Sequence, residues 1–175
     1  MPNYCNNMVI ISGDNDKLES IFQKFKSGSV FESIIPVPEE LKSPEAHSWG
    51  GDDALHKNLL RQENIKKHGY ENALDFRIIN WGTKWEPDVY DIQFIDKNQL
   101  KISFDTAWNP PLGIYEVLET CGFKIYAIYF ESGNAFYGSY TDGKNNLYRF
   151  GDSKKSELLD ELNEHFNVYE TMFKD

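Results

Sequence analysis

The chain has 175 residues, 18 basic against 28 acidic, a net charge of −10, 40% hydrophobic and 15% aromatic content. That length suits a single domain whose core needs neither disulfides nor metal, and the acidic balance disfavours direct binding to a phosphate backbone, which requires clustered Lys and Arg. Two cysteines, Cys5 and Cys121, are too few for a disulfide framework or a thiolate zinc site; both fall in apolar patterns and read as small buried hydrophobes.

Residues 4 to 12 read as a strand with apolar residues on both faces, as in the middle of a sheet. Gly13-Asp14-Asn15-Asp16 breaks it and caps a helix whose stripe is Leu18, Ile21, Phe22 and Phe25, closed by Gly28. Val30 to Ile35 reads as a second strand, ended by Pro36 and Pro38. From Glu39 the pattern is irregular until Asp52 or Asp53, which can cap a helix reaching His68 and Gly69. Its apolar stripe (Leu55, Leu59, Leu60) is thin, which predicts a surface position. Tyr70, Leu74, Ile78 and Trp81 repeat at helical spacing, and Gly82 is placed as the left-handed residue that ends that helix.

Beyond Pro87 the period changes to two. Tyr90, Ile92 and Phe94 alternate with Asp91 and Gln93, Asp96-Lys97-Asn98 turns the chain, and Leu100, Ile102, Phe104, Thr106 and Trp108 alternate in reply, giving a hairpin with one wet face. Pro110-Pro111 ends it and starts a helix with Ile114, Val117, Leu118 and Cys121 on its stripe and Gly122 as its stop. Phe123 to Glu131, Ala135 to Tyr140 and Leu147 to Phe150 form a three-strand meander, and Leu158, Leu159, Leu162 and Phe166 mark a last helix capped by Asp152 or Ser153. This order predicts an α+β fold over 1–175: a ferredoxin-like antiparallel sheet with helices mainly on one face, a helical insertion at 39–88 and a C-terminal helix and tail at 152–175.

Signatures of catalysis are sparse. The chain has no Gly-rich phosphate loop, no His-Glu-x-x-His, no Gly-x-Ser-x-Gly and no Cys-x-x-Cys. His47, His56 and nearby Asp52 or Asp53 could be arranged around a metal, but read first as solvated polar residues, and neither a metal nor a cofactor is expected. Pairing Cys5 with a histidine has no local support. The densest polar and aromatic group is Trp81, Lys84 and Trp85, answered by Asp105, Trp108 and Asn109, with Glu131 at the end of the apolar strand and Tyr137 and Tyr140 on the next. Lys84 on an indole face would be a cation–π contact, and Lys84 with Asp105 or Glu131 an ion pair. The group reads either as a buried corner or as a shallow aromatic pocket in which Lys84 holds an anion and Asp105 or Glu131 moves a proton.

Four motifs resemble the YubB ferredoxin-like family of bacteriophage-, prophage- and plasmid-carried proteins: Met1-Pro2-Asn3-Tyr4-Cys5-Asn6-Asn7, Trp81-Gly82-Thr83-Lys84-Trp85, Thr106-Ala107-Trp108-Asn109-Pro110-Pro111 and Tyr129-Phe130-Glu131-Ser132-Gly133. They span about residues 1 to 140. The resemblance departs at Tyr4, where a tryptophan is commoner, and implies no activity and no catalytic residues. It implies a mobile-element protein working in the cytoplasm of a bacterial host, in keeping with an N-terminus that lacks a basic lead and with apolar runs shorter than the ~18 residues of a membrane span.

The resulting expectation is a non-enzymatic module that binds a basic, nucleic-acid-handling host protein, such as a defence nuclease, through carboxylates standing in for phosphates. Candidate contacts are Glu39, Glu40, Glu45, Asp52 and Asp53 in the insertion, or Asp160, Glu161 and Glu164 in the last helix. A third reading puts single-stranded nucleic acid on sheet aromatics Tyr126, Tyr129 and Tyr137, without the basic residues such a surface needs.

Overall fold

The computed structural model describes residues 3–44, 53–151 and 157–172. Six strands form one antiparallel sheet in the order β2-β3-β1-β4-β5-β6. In chain order the elements are β1 (Tyr4–Ser12), α1 (Asn15–Ser27), α2 (Val30–Ile34), a 3-10 turn (Glu39–Lys42), α3 (Ala54–His68), α4 (Ala73–Asn80), β2 (Asp88–Asp96) and β3 (Gln99–Ala107). Then come α5 (Leu112–Thr120), β4 (Lys124–Glu131), β5 (Phe136–Thr141), β6 (Lys144–Arg149), α6 (Glu157–Phe166) and α7 (Val168–Met172). The run β1-α1-β2-β3-α5-β4 with sheet order 2-3-1-4 is the split βαβ arrangement of a ferredoxin-like fold, extended on the β4 side by the β5-β6 hairpin.

Strand β1 is central because both its faces are apolar. Val9 and Ile11 join Leu100, Ile102, Phe104, Ile125 and Ala127 in the larger core, on what we term the first face, packed beneath α1, α2, α4 and α5. Met8, on the second face, joins Ile128, Phe130 and Tyr137 beneath α6 and α7. Those last two helices cover the β4–β5 side of the second face. The second face of β2 and β3 lacks a helical cover among the described residues.

Three sequence expectations change. Val30 to Ile34 is a short helix rather than a strand. Its apolar residues Val30, Phe31 and Ile34 fit a helical face as well as a strand, and the first-turn amides of Phe31 and Glu32 donate to the Glu86 carboxylate at 2.8 and 2.7 Å. That cap lies more than fifty residues away, so no local signal reveals it. Second, β2 carries a register shift between Val89 and Asp91. The bulge lets Val89 take the core-side position and leaves Tyr90 57% exposed, out of the expected apolar stripe. Third, Cys121 lies at the exposed end of α5, whereas Cys5 is fully buried.

Helices α1 and α4 follow side-chain caps. Asp14 accepts from the amides of Asp16 and Lys17 and Gly28 closes α1 in the left-handed region. The expected caps Asp152 and Ser153 lie outside the described residues, as do His47 and Asp52. Helix α3 is a surface helix, with Leu55 and Leu59 exposed. In α4 the sides are exchanged: Leu74 and Ile78 are exposed, while Ala73 is buried and Trp81 sits in the core.

Candidate functional site

The seven residues expected to form one pocket are distributed over five environments. Trp81 is 1% exposed, edge-on to Phe31 at 5.8 Å, and its indole N–H donates to the Ile35 carbonyl at 2.9 Å. It is scaffold. Glu131 is fully buried, and its carboxylate accepts from the Gly133 and Asn134 amides at 2.8 and 2.5 Å, closing the β4–β5 turn. No ion pair joins Lys84 to Asp105 or to Glu131, since each carboxylate is held elsewhere by its own strand register.

Lys84, Trp85 and Trp108 do meet, at the surface. The Lys84 ammonium lies 2.9 Å from the Trp108 ring centroid and 5.9 Å from that of Trp85, so the lysine is shared by these two indoles rather than by Trp81 and Trp85. Both rings are about two-fifths exposed. Trp108 holds φ 72°, a left-handed conformation that a bulky residue adopts only when its surroundings impose it. Its amide donates to the Asn3 carbonyl at 2.9 Å, and the Thr83 hydroxyl donates to the carbonyl of the preceding Ala107 at 2.9 Å. These two bonds fix both flanks of the turn. Asn109 is exposed and lines a separate cleft on the first face.

Asp105 points to the second face of the sheet, on the half without a helical cover among the described residues. There it stands opposite Asn6 on β1, whose side-chain amide donates to it at 2.7 Å, and opposite Asp88 on β2. Like charges placed directly across a strand pair oppose each other. Burial, and to a lesser degree Asp88, holds the Asp105 carboxyl above the ordinary carboxylate range despite the Asn6 bond. Asp91 lies further along β2, opposite Ser103. Tyr90 stands beside both carboxylates; burial first, then Asp105 and Asp91, push its hydroxyl up to about 12. Tyr4, 48% exposed, pairs with Ala107 at the same end of the sheet. The result is three aspartates and two exposed tyrosines on one part of the sheet, with the Trp85–Lys84–Trp108 stack at the end of the strands.

This carboxylate gives a stability test. The folded pKa of Asp105 lies above its unfolded value, so the native state binds the proton more tightly. The associated stability is complete below the unfolded pKa near 3.8 and is lost as pH rises through the folded value. Asp105→Asn keeps an acceptor for Asn6 and removes the charge. In denaturant titrations from pH 3 to pH 7, its stability relative to wild type is expected to rise with pH and then level off. A difference flat in pH contradicts the strain.

The two candidate acidic groups lie on different sides of the sheet. Glu39 pairs with Lys42 at 3.0 Å, and Glu40 binds Lys67 and lies 3.5 Å from the His68 imidazole; the bond to Lys67 holds Glu40 below the usual carboxylate range. Both belong to the helical layer on the first face. Asp160 and Glu161 lie on the opposite side, accepting from the Tyr169 and Tyr126 hydroxyls, and Glu164 is exposed on the same helix. Asp53 is exposed at the start of α3, without a side-chain capping bond. Glu45 and Asp52 lie outside the described residues. The aromatic platform expected for single strands is also dispersed: Tyr129 and Tyr137 are 0% and 1% exposed and belong to opposite faces.

Sequence reasoning passed over Asp88, Asp91, Tyr4 and Tyr90. The alternation of Asp91 and Gln93 against Ile92 and Phe94 already marks a wet face, so part of the signal is local. The Asp88–Asp105 pairing is set by hairpin register. Cys5 is fully buried, and burial first, then Glu131 and Asp105, push its thiol well above the ordinary range, the reverse of what a reactive cysteine needs. Among the described residues no group of three metal-ligating side chains occurs, and no helix is long and apolar enough to cross a membrane.

No protein-family model matches the chain, and no curated protein matches it. Among solved structures it is similar to the crystal structure of a protein api92 from Yersinia pseudotuberculosis, designated DUF1281. That comparison has 13% identity and a TM-score of 0.44 over 89% of this chain and 100% of the other. The reading of the site therefore rests on its own geometry.

Proposed function

We propose that the protein is a non-enzymatic binding module for a basic protein partner, engaged by the open half of the second sheet face. The observation that carries this reading is the Asp88–Asp105 cross-strand pair, a like-charge contact that costs stability and sits on the part of the sheet no described helix covers. A partner's Arg or Lys would relieve the repulsion, and Tyr4, Tyr90, Trp85 and Trp108 supply the aromatic anchors on which guanidinium groups stack. The net charge of −10 adds long-range attraction and speeds association with a basic surface. The resemblance to proteins of phages and plasmids makes a nucleic-acid-handling host protein, such as a defence nuclease, the partner of choice. Relative to the sequence expectation, the contact surface moves from the insertion and last helix to β2, β3 and β1.

The test compares wild type with the Asp88→Asn, Asp105→Asn double variant as immobilised bait for bacterial lysate. A basic protein held by wild type at low salt, released as salt screens the contact, and held about tenfold or more weakly by the variant is the expected result. Equal capture by both baits, or none by wild type, refutes it.

A further inference from the structure

Helix α3 is turned inside out. Its buried positions are Arg61 and Asn64, while Leu55, Leu59 and Ile65 face outward. An ordinary amphipathic helix shows the opposite arrangement, and clustered exposed aliphatics mark a surface that meets a partner. Helix α4 adds to the patch. It docks through Ala73 and the Trp81 that follows it, which leaves Ile78 and Ile79 outside. Ile65 and these two isoleucines line a groove of about 350 Å³ at the corner between α3 and α4, together with Gly69, Tyr70, Glu71 and Asp75.

The corner is held by its own bonds. Gly69 ends α3 in the left-handed region, and its amide donates to the Ile65 carbonyl at 2.8 Å. The buried Asn64 side chain donates to the Glu71 carbonyl at 2.8 Å, tying the end of α3 to the approach to α4. Asn72 caps α4 by accepting from the Leu74 and Asp75 amides, and Tyr70 packs edge-on to Phe76 at 5.1 Å. The polar burial in α3 thus shapes the corner, and the groove is formed before a partner arrives.

Two carboxylates set the chemistry of the occupant. Among the described residues, neither the Glu71 nor the Asp75 carboxylate forms an ion pair or accepts a hydrogen bond. Asp75 stands in the first turn of α4, but the capping there is done by Asn72. No Lys or Arg lines the groove. Ile65, Ile78 and Ile79 are each at least 40% exposed, so the groove is open and suits the side chains of a helix better than an enclosed small molecule. Three aliphatic side chains beside two uncompensated carboxylates complement a helix with leucines along one stripe and Lys or Arg beside it.

We propose that this groove docks a basic amphipathic helix of a protein partner. The contact is independent of the aspartate surface, since α4 packs on the first face of the sheet whereas Asp88 and Asp105 look out from the second. The experiment is an amide-resolved NMR titration of the full chain with three synthetic peptides of about 18 residues. One has leucines at four- and three-residue spacing and lysines between them. The second replaces the lysines by glutamates, and the third keeps the lysines but scrambles the leucines off the stripe.

The first peptide is expected to shift the Gly69, Tyr70 and Ile79 amides saturably at or below about 0.1 mM, and the other two to bind at least about tenfold more weakly. Glu71→Gln with Asp75→Asn is expected to weaken the first peptide about tenfold and to flatten its salt dependence. Ile79→Ser, at an exposed position, is expected to weaken it by about the same factor while the spectrum stays folded. Groove amides that the first peptide leaves unmoved overturn the proposal, as do shifts confined to β2 and β3, which would support the aspartate surface alone. A scrambled peptide that binds as well, or an affinity that the double variant leaves unchanged, also overturns it. So does a dimer of the free chain in sedimentation that Ile79→Ser dissolves, which would give the groove to a second copy.

Discussion

Gly113→Ala is expected to prevent the chain from reaching its native fold. A β-carbon at Gly113 would lie 1.9 Å from the carbonyl oxygen of Asn80 and 2.9 Å from its carbonyl carbon. Both are backbone atoms, so no rotamer change relieves the overlap. The end of α4 would have to leave the start of α5. The neighbouring contact is also tight: Gly82, at φ +90°, would place a β-carbon 2.8 Å from the Pro110 carbonyl and 3.0 Å from the Leu112 amide nitrogen. These two glycines let the turn after Trp81 seat on the turn after Trp108, and the wall of the cleft beside Asn109 is built from that junction. Overpacking that side chains can absorb costs ~1–3 kcal/mol; a clash between fixed backbones is expected to exceed that range, against a total stability of about 5–15 kcal/mol for a domain. Gly28→Ala is the control. It carries a left-handed strain that Gly113 lacks, with φ +79°, but meets nothing within 4 Å, and is expected to cost about 1–2 kcal/mol. Urea denaturation of the two variants measures the difference, and comparable midpoints would disprove the close docking.

The second large effect separates the tryptophans. Trp81→Ala is expected to cost about 3–5 kcal/mol, because it empties a buried indole volume and removes the donor to the Ile35 carbonyl. Trp108→Gly is expected to change stability by no more than about 1 kcal/mol. It loses the Lys84 contact, about 0.5–1 kcal/mol at an exposed site, and relieves a left-handed φ of 72° that costs a non-glycine residue about 1–2 kcal/mol. The same variant is expected to weaken binding of a basic partner, since an exposed anchor is gone. Thermal melts set against partner affinity therefore give opposite rankings for the two residues. Equal stability losses would mean that Trp108 is scaffold as well.

Much of the fold was legible because it depends on period and punctuation. The wet face of β2, the β4–β5–β6 meander, the proline start of α5 and the glycine stops at Gly28, Gly69, Gly82 and Gly122 are local properties of the chain. Where the reading failed, a distant partner decided. Val30–Ile34 is helical with the Glu86 carboxylate on its first turn, and Tyr90 leaves its stripe because a bulge lets Val89 take the core position. Leu74 and Ile78 face out because Ala73 and Trp81 are the residues that dock.

The candidate site was legible only in its ingredients. Clustered Trp81, Lys84, Trp85, Asp105, Trp108, Asn109 and Glu131 announced a junction, but sequence spacing does not say which side of a sheet a residue faces relative to helices added later in the chain. By itself the sequence determined the α+β class, the strands of the sheet, the acidic balance and the dense aromatic turns, but not the helical state of Val30–Ile34. The tertiary structure alone decided that Trp81 and Glu131 are buried and satisfied, and that Lys84 stacks between Trp85 and Trp108. It also decided that Asp88 faces Asp105 on a half-sheet that no described helix covers. Burial and cross-strand pairing are long-range: they depend on strand order and register, which join residues such as Asn6 and Asp105 that the sequence holds 99 positions apart.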